Sequence, residues 1–260
     1  MLKQLTTIAL RAGEILRSAR NTEICAEEKS GPRDLVTKYD TMVQQFLEKE
    51  LLAVVPDAGF LGEEGTKQAD WSSYRRLFIV DPIDGTTNFV QGFHNCCVSV
   101  GLMVDGQMEY GVVCAPFDDE LFSAQRGRGA FLNGRPIRSA DKDLSHSLLI
   151  LGSAIYYKEL TARTLGILNA AFPLVQDIRR FGSAALDLCY LAAGRAGVFY
   201  ETRLCPWDYA AGSLIAREAG CEVTAMDGSP LNYFAKCSVL AGSPTAYRQL
   251  LGVIREGGYE

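Results

Sequence analysis

The chain has 260 residues, 48% of them hydrophobic and 22% charged. That balance buries a core of ordinary size without disulfides or a structural metal and excludes a disordered protein. A net charge of −5 speaks against a broad basic surface for nucleic acid or an anionic membrane. Leu2, Leu5, Ile8, Ala9, Ala12, Ile15 and Leu16 recur at helical spacing, so the chain opens with an amphipathic helix. Asp40 reads as the cap of a second helix with Val43, Phe46, Leu47, Leu51 and Val54 as its buried stripe and Pro56 beyond its end. The apolar run Leu77–Val80 reads as a strand that stops at Asp81-Pro82. From Cys96 to Ile137 the pattern is that of an antiparallel meander. Asp105-Gly106 is a hairpin signal, Tyr110–Cys114 and Leu121–Ala124 are strand-like, and Gly127, Gly129 and Gly134 punctuate the rest.

The second half alternates. Strands are predicted at Leu148–Leu151, near Asp177–Phe181, at Val198–Tyr200, near Cys221–Ala225 and near Ser238–Ala241. Helices are predicted about Lys158–Ala171, near Ala184–Ala193, at Asp208–Ala219 ahead of Gly220, and about Pro244–Arg255. A β-rich half joined to an α/β half makes a layered α/β sandwich. The softest boundary is the polar stretch Ser139–Ser147, which divides the chain into 1–140 and 141–260.

Eight cysteines are scattered without a CxxC pair or a His–Cys cluster. They read as buried small apolar residues of a reduced, cytoplasmic protein. The short apolar stretch Leu5–Leu10, followed at once by Arg11, is not a secretory signal. Gly85–Val104, the longest run without Asp, Glu, Lys or Arg, is too polar for a membrane span. The two histidines, His94 and His146, are too isolated for a zinc site or a proton relay and read as structural.

Four acidic features sit at loop ends. In Asp81-Pro82-Ile83-Asp84-Gly85-Thr86-Thr87-Asn88 two carboxylates lie three residues apart, followed by a glycine and two hydroxyls. Such a loop suits a hard cation and a phosphate, and it also suits a plain Asp-Gly turn with a helix cap. Glu63-Glu64 between Gly62 and Gly65, Asp208 in Pro206–Gly212, and Asp40 in Asp34–Asp40 are each most simply a solvated loop or a cap. Together, with no His or nucleophilic Cys arrangement nearby, they suit Mg²⁺-assisted chemistry on a phosphate better than acyl transfer.

The segments DLVTKYD (34–40), GEEG (62–65), DPIDGTTNF (81–89), FGSAALDLCY (181–190), FYE (199–201) and PWDYAAG (206–212) resemble the inositol monophosphatase family of lithium-sensitive, Mg²⁺-dependent phosphatases. The resemblance implies a layered αβαβα sandwich of the sugar-phosphatase type. Residues 1–140 would carry most metal ligands, and 141–260 would carry Asp208 and the substrate contacts. It implies two to three Mg²⁺ ions, a homodimer, and hydrolysis of a phosphate monoester such as myo-inositol monophosphate by a directly attacking water. Glu63 would be shared by the first and third metals, Asp81 would bridge the first two, and the Ile83 carbonyl would complete the first site. Asp84 and Asp208 would hold the second metal, and Asp40 with Thr86 would activate the water. Gly85 and Thr86 N–H groups would hold phosphate; Gly182, Ser183, Ala184, Glu201 and Asp208 would line the substrate. Relatives in the superfamily acting on fructose 1,6-bisphosphate, histidinol phosphate or a 3′-phosphorylated nucleotide supply alternatives. So does a bacterial member that acts in transcription antitermination, although direct nucleic-acid binding is disfavoured by the charge.

Three positions depart from the family pattern: His94 after Gly92-Phe93, Gly197-Val198 ahead of the substrate glutamate, and Arg203. Arg203 reads either as a solvated cation or as one near the leaving group. Strand alternation would put it on the face of Glu201 and let the two pair.

Overall fold

The computed structural model describes residues 1–19, 24–31, 34–65 and 70–260. Helix α1 (Leu2–Ala19) is followed by a two-stranded antiparallel ribbon, β1 (Ala26–Gly31) and β2 (Asp34–Thr37), and then by α2 (Lys38–Val54). Strands β3 (Gly59–Gly62) and β4 (Arg76–Asp84) precede the short helix α3 (Thr86–Val90). The meander continues through β5 (Cys97–Val104), β6 (Gln107–Ala115), β7 (Glu120–Gln125), β8 (Ala130–Leu132) and β9 (Arg135–Ile137). The second half runs β10 (Leu148–Leu151), α4 (Thr161–Ala171), β11 (Asp177–Arg179), α5 (Ala184–Ala192), β12 (Val198–Leu204), α6 (Pro206–Glu218), β13 (Glu222–Thr224), β14 (Cys237–Gly242) and α7 (Pro244–Glu256).

The first sheet has the order β3-β4-β5-β6-β7-β8-β9, with β3 parallel to β4 and every other pair antiparallel. The hairpin at Asp105-Gly106 turns with both residues at positive φ, +50° and +75°, the geometry that matches strand twist. The second sheet has the order β11-β10-β12-β14-β13, parallel at β11-β10-β12 and antiparallel beyond.

Five layers result. α1 and α2 cover the outer face of the first sheet through Leu5, Leu16, Val43, Leu47, Phe78 and Val100. α5 and α6 lie between the sheets, where Leu77, Ile79, Leu188, Tyr209, Phe199 and Val239 share one core. α4 and α7 close the outer face of the second sheet with Ile167, Leu250, Tyr200 and Leu240. β4 and β5 are buried almost throughout, as strands covered on both faces must be, so they read as continuous apolar runs without alternation. The small residues of PWDYAAG also have a packing reason: Ala210 and Ala211 of α6 approach Gly101 and Gly111 of β5 and β6 at backbone distance. The layered αβαβα expectation matches this arrangement.

Several boundaries differ from the sequence expectation. β4 continues through Pro82 to Asp84, because its pairing with β5 shifts register between Asp81 and Asp84 and asks no hydrogen bond of the proline there. α2 and α6 each begin two residues before their acid: the caps are Thr37 and Cys205, and Asp40 and Asp208 are the third helical residues. Phe46 and Val54 are only half-buried, whereas Tyr39 and Asp40 join the buried stripe.

Candidate active site

Asp40 is fully buried at the start of α2. Its Oδ2 accepts from the Thr37 N–H and the Thr37 hydroxyl, both at 2.7 Å, while Thr37 Oγ1 accepts from Tyr39 N–H at 3.1 Å. This capping box leaves Oδ1 facing Thr86 Oγ1 at 3.1 Å. The Thr86 hydroxyl also lies 2.9 Å from the Ile83 carbonyl oxygen, so its single proton is shared between two acceptors. Asp40 and Thr86 therefore do meet, and the cap and the pairing are two oxygens of one carboxylate.

The loop after β4 is fixed from three sides. Ile83 N–H donates to Asp81 Oδ1 at 3.0 Å. Gly85 sits at φ +93°, and a side chain there would meet the Asn95 carbonyl oxygen at 2.7 Å, so both the turn and the close approach require glycine. Asn88 Nδ2 donates to the carbonyls of Asn95, at 2.6 Å, and Phe181, at 2.7 Å, tying this loop to the start of α5.

Asp84 Oδ2 accepts from the Ser183 hydroxyl and from Ala185 N–H, each at 2.7 Å. Ser183 also caps α5. Its hydroxyl is thus committed to Asp84, and at 1% exposure it has no open side toward a substrate. Ala184 is buried as well, which leaves Gly182, at φ +88° beside the Arg180 guanidinium, as the accessible member of that segment. Asp208 Oδ2 accepts from Cys205 N–H at 2.7 Å. The GEEG turn is held by Gln44 of α2, which accepts from Glu64 N–H at 2.8 Å and donates to its carbonyl at 2.5 Å. The positive ends of α2, α5 and α6 thus each carry one of the acids, a favourable placement for negative charge.

The carboxyl groups perturb one another strongly. Burial and the charges of Glu63, Asp84 and Asp208 hold Asp81 well above the usual carboxylate range, and Asp81 shares a hydrogen bond with Glu63. Burial, then Asp84 and Glu63, do the same to Asp208. Burial pushes Asp84 up to about 6 against the pull of its bonds to Ser183 and Ala185. Glu201, on β12, is pushed up to about 7 by burial, against the Ala154 N–H and the Arg180 charge. Four carboxylates in mutual reach at low exposure are costly unless cations neutralise them. All the donors are hard oxygens. Among the described residues no three His, Cys, Asp or Glu side chains close into a ready-made metal cage.

The model of the inositol monophosphatase family matches residues 1–258. The chain belongs to the inositol monophosphatase family. It is 39% identical over 266 residues to the "Nus factor SuhB" of Vibrio cholerae, covering 99% of this chain and 97% of that one. It is 37% identical to "Inositol monophosphatase 1" of Sus scrofa, covering 92% and 88%. The crystal structure of the extragenic suppressor protein suhB from Bartonella henselae superposes with a TM-score of 0.90 at 36% identity, covering 98% of both chains.

Individual positions match the sequence expectation to different degrees. Arg203 does not pair with Glu201. The β12–β14 pairing shifts between Glu201 and Leu204, which breaks the alternation, and Arg203 Nη1 instead donates to Glu159 at 3.0 Å. His94 and His146 stand at the surface beside Asp118 and Asp143. Five of the cysteines are buried, two are intermediate, and Cys25 is exposed. Gln44, Asn88 and Asp187 were not singled out from sequence. Asn88 and Asp187 stood inside quoted motifs, but nothing marks a helix-face glutamine as the partner of a loop twenty residues on. Asp187 is 1% exposed, and its Oδ1 makes no hydrogen bond among the described residues. Burial, with Asp84 and Glu201 nearby, holds it well above the carboxylate range.

Proposed function

We propose that the chain hydrolyses a phosphate monoester in a Mg²⁺-dependent reaction, with myo-inositol monophosphate as the preferred substrate and water attacking phosphorus directly. The observation that carries this reading is the mutual approach of Glu63, Asp81, Asp84 and Asp208 beside the Thr86–Asp40 pair. Glu63, Asp81 and the Ile83 carbonyl would hold one ion, Asp81, Asp84 and Asp208 a second, and Glu63 a third. Bound Mg²⁺ supplies charge neutralisation, acidification of water and stabilisation of the leaving alkoxide.

The chain's own residues do the rest. Thr86, with its proton directed to Asp40, offers a lone pair to the attacking water and orients it. Gly85 and Thr86 N–H groups orient the phosphate at the turn. Glu201 accepts a hydroxyl of the leaving group and disfavours a second phosphate beside it. A covalent route through cysteine has no support: Cys97 lies 4.0 Å from Asp84, and burial with that charge holds its thiol protonated. The hard-oxygen set around Asp84 and Asp208 also suits Li⁺, so lithium inhibition belongs to the same reading. A cytoplasmic homodimer goes with it. No helix among the described residues is long and apolar enough to cross a membrane.

Phosphate release from a panel of polyol, sugar and nucleotide phosphates, with and without Mg²⁺, tests the reading. Turnover led by inositol 1-phosphate supports it. A specificity constant tenfold higher for fructose 1,6-bisphosphate, about 1.4 kcal/mol of transition-state preference, overturns the substrate assignment. A second role, as a scaffold in transcription complexes, is favoured by the name of the Vibrio cholerae relative. Association with RNA polymerase complexes that survives Asp81→Asn would support it, and loss of association on that change would tie any such role to the metal site.

A further inference from the structure

The segment after β10 forms the bed on which Glu201 lies. Gly152 N–H donates to the Tyr200 carbonyl at 2.9 Å. A side chain at Gly152 would sit 1.9 Å from Glu201 Oε2, so the carboxylate occupies the space that the missing side chain leaves. Ala154 then turns at φ +43°, the left-handed region that residues with a side chain avoid. That turn presents its N–H to Glu201 Oε1 at 3.0 Å. An unfavourable backbone conformation persists only where its surroundings hold it.

Tyr157 supplies the hold. Its N–H donates to the Ala154 carbonyl at 2.9 Å, closing the turn. Its ring is contacted by two cations from other parts of the chain. The Arg203 guanidinium carbon lies 4.7 Å from the ring centre and Lys236 Nζ 5.2 Å from it, both within cation–π range. Lys236 Nζ also donates to Tyr157 Oη at 2.7 Å, and Arg203 is anchored in turn by Glu159. Arg203 stands two residues beyond Glu201 on β12, and Lys236 immediately precedes β14. The clasp therefore joins the turn at Ala154 to the strand that carries Glu201 and to that strand's neighbour.

We propose that Tyr157, gripped by Arg203 and Lys236, is a positioning residue that holds the left-handed turn at Ala154 and so aims the Glu201 carboxylate at the hydroxyls of the leaving group. The proposal rests on the reading of Glu201 as the contact to a substrate hydroxyl. It gives Arg203 a task that is neither pairing with Glu201 nor binding a second phosphate.

The test compares Tyr157→Ala, Tyr157→Phe and Arg203→Gln by two readouts. One is KM for inositol 1-phosphate against KM for p-nitrophenyl phosphate, whose leaving group carries no further hydroxyl. The other is hydrogen exchange at the Ala154 amide. Tyr157→Ala should raise KM for inositol 1-phosphate about tenfold more than KM for the aryl phosphate, and should speed Ala154 exchange by about tenfold. Tyr157→Phe keeps the ring for Arg203 and should shift each by less than about threefold. Arg203→Gln, a change at a half-buried position outside the hydrophobic core, should move both in the direction of Tyr157→Ala. An unaltered KM ratio, equal losses on both substrates, or unaltered Ala154 exchange would overturn the proposal. If the wild-type protein hydrolyses neither phosphate, the functional reading has failed, and the exchange measurement alone decides whether Tyr157 holds the turn.

Discussion

Replacing Asp40 by Asn separates capping from chemistry. Two hydrogens, from Thr37 N–H and Thr37 Oγ1, converge on Oδ2 at 2.7 Å. The backbone N–H cannot turn away, so the amide oxygen of Asn must take that side. Its NH₂ then faces Thr86 Oγ1, which sits 3.1 Å from the other oxygen. There it donates to the hydroxyl lone pair and sends the Thr86 proton to the Ile83 carbonyl, already 2.9 Å away. The fold loses only the charge on one capping acceptor, about 1 kcal/mol. The attacking water loses the carboxylate that can take a proton through Thr86, and general-base assistance is worth roughly 100- to 10,000-fold in rate. Asp40→Asn should therefore melt within a few degrees of wild type yet lose at least about 100-fold in kcat. Thr86→Ala should lose a similar amount, and the double variant little more than either. Turnover by phosphate release and stability by urea unfolding on the same preparations decide it. An active Asp40→Asn, or fully additive losses, would refute the pairing of these residues on one water.

Other outcomes follow from the same geometry. Gly152→Ala places a methyl group 1.9 Å from Glu201 Oε2 and should raise KM for inositol 1-phosphate with a small effect on an aryl phosphate; equal KM values for wild type and variant would show that Glu201 does not touch the substrate. Asp187→Asn replaces a buried acid whose charged form burial disfavours, with an Oδ1 that has no hydrogen-bond partner among the described residues, and should leave unfolding free energy within about 1 kcal/mol of wild type; a larger loss in urea would mean that the acid is charged and paired. Asp84 and Glu201 have folded pKa values raised from 3.8 to about 6 and from 4.5 to about 7, so the folded state binds more protons than the unfolded one. Their contribution to metal-free stability is full below the unfolded values and is lost as pH rises through those folded values. Melting temperature in EDTA should accordingly fall between about pH 4 and pH 7, with Mg²⁺ restoring it at the upper end; a flat profile in EDTA would contradict the crowding of these acids.

Much of the fold was legible because its signals are local. The stripe of α1, the Asp105-Gly106 turn and the alternation of the second half each follow from spacing or from one turn residue. What escaped was set by partners distant in sequence. The passage of β4 through Pro82 depends on a register shift against β5, and the extension of β12 to Leu204 depends on β14. Asp40 and Asp208 read as caps because an acid ahead of an apolar stripe is the commonest capping signal. In both helices the cap is three residues earlier and the acid reciprocates, which a Cys at the cap position conceals in α6. The acids themselves were found through short motifs. Their convergence, the commitment of Ser183 to Asp84, the Gln44 brace and the Tyr157 clasp are contacts across many residues, which no spacing rule reports.

The central claim is that Glu63, Asp81, Asp84 and Asp208 form a site that repels itself until divalent cations arrive and then hydrolyses a phosphate monoester. The most direct measurement is phosphate release from inositol 1-phosphate by chelator-treated protein as Mg²⁺ is added back, run beside Asp81→Asn. Wild-type protein should be silent without metal and active with it, and the variant should lose most of its turnover at every Mg²⁺ concentration. Undiminished release in EDTA, or an Asp81→Asn protein as active as wild type, would contradict it.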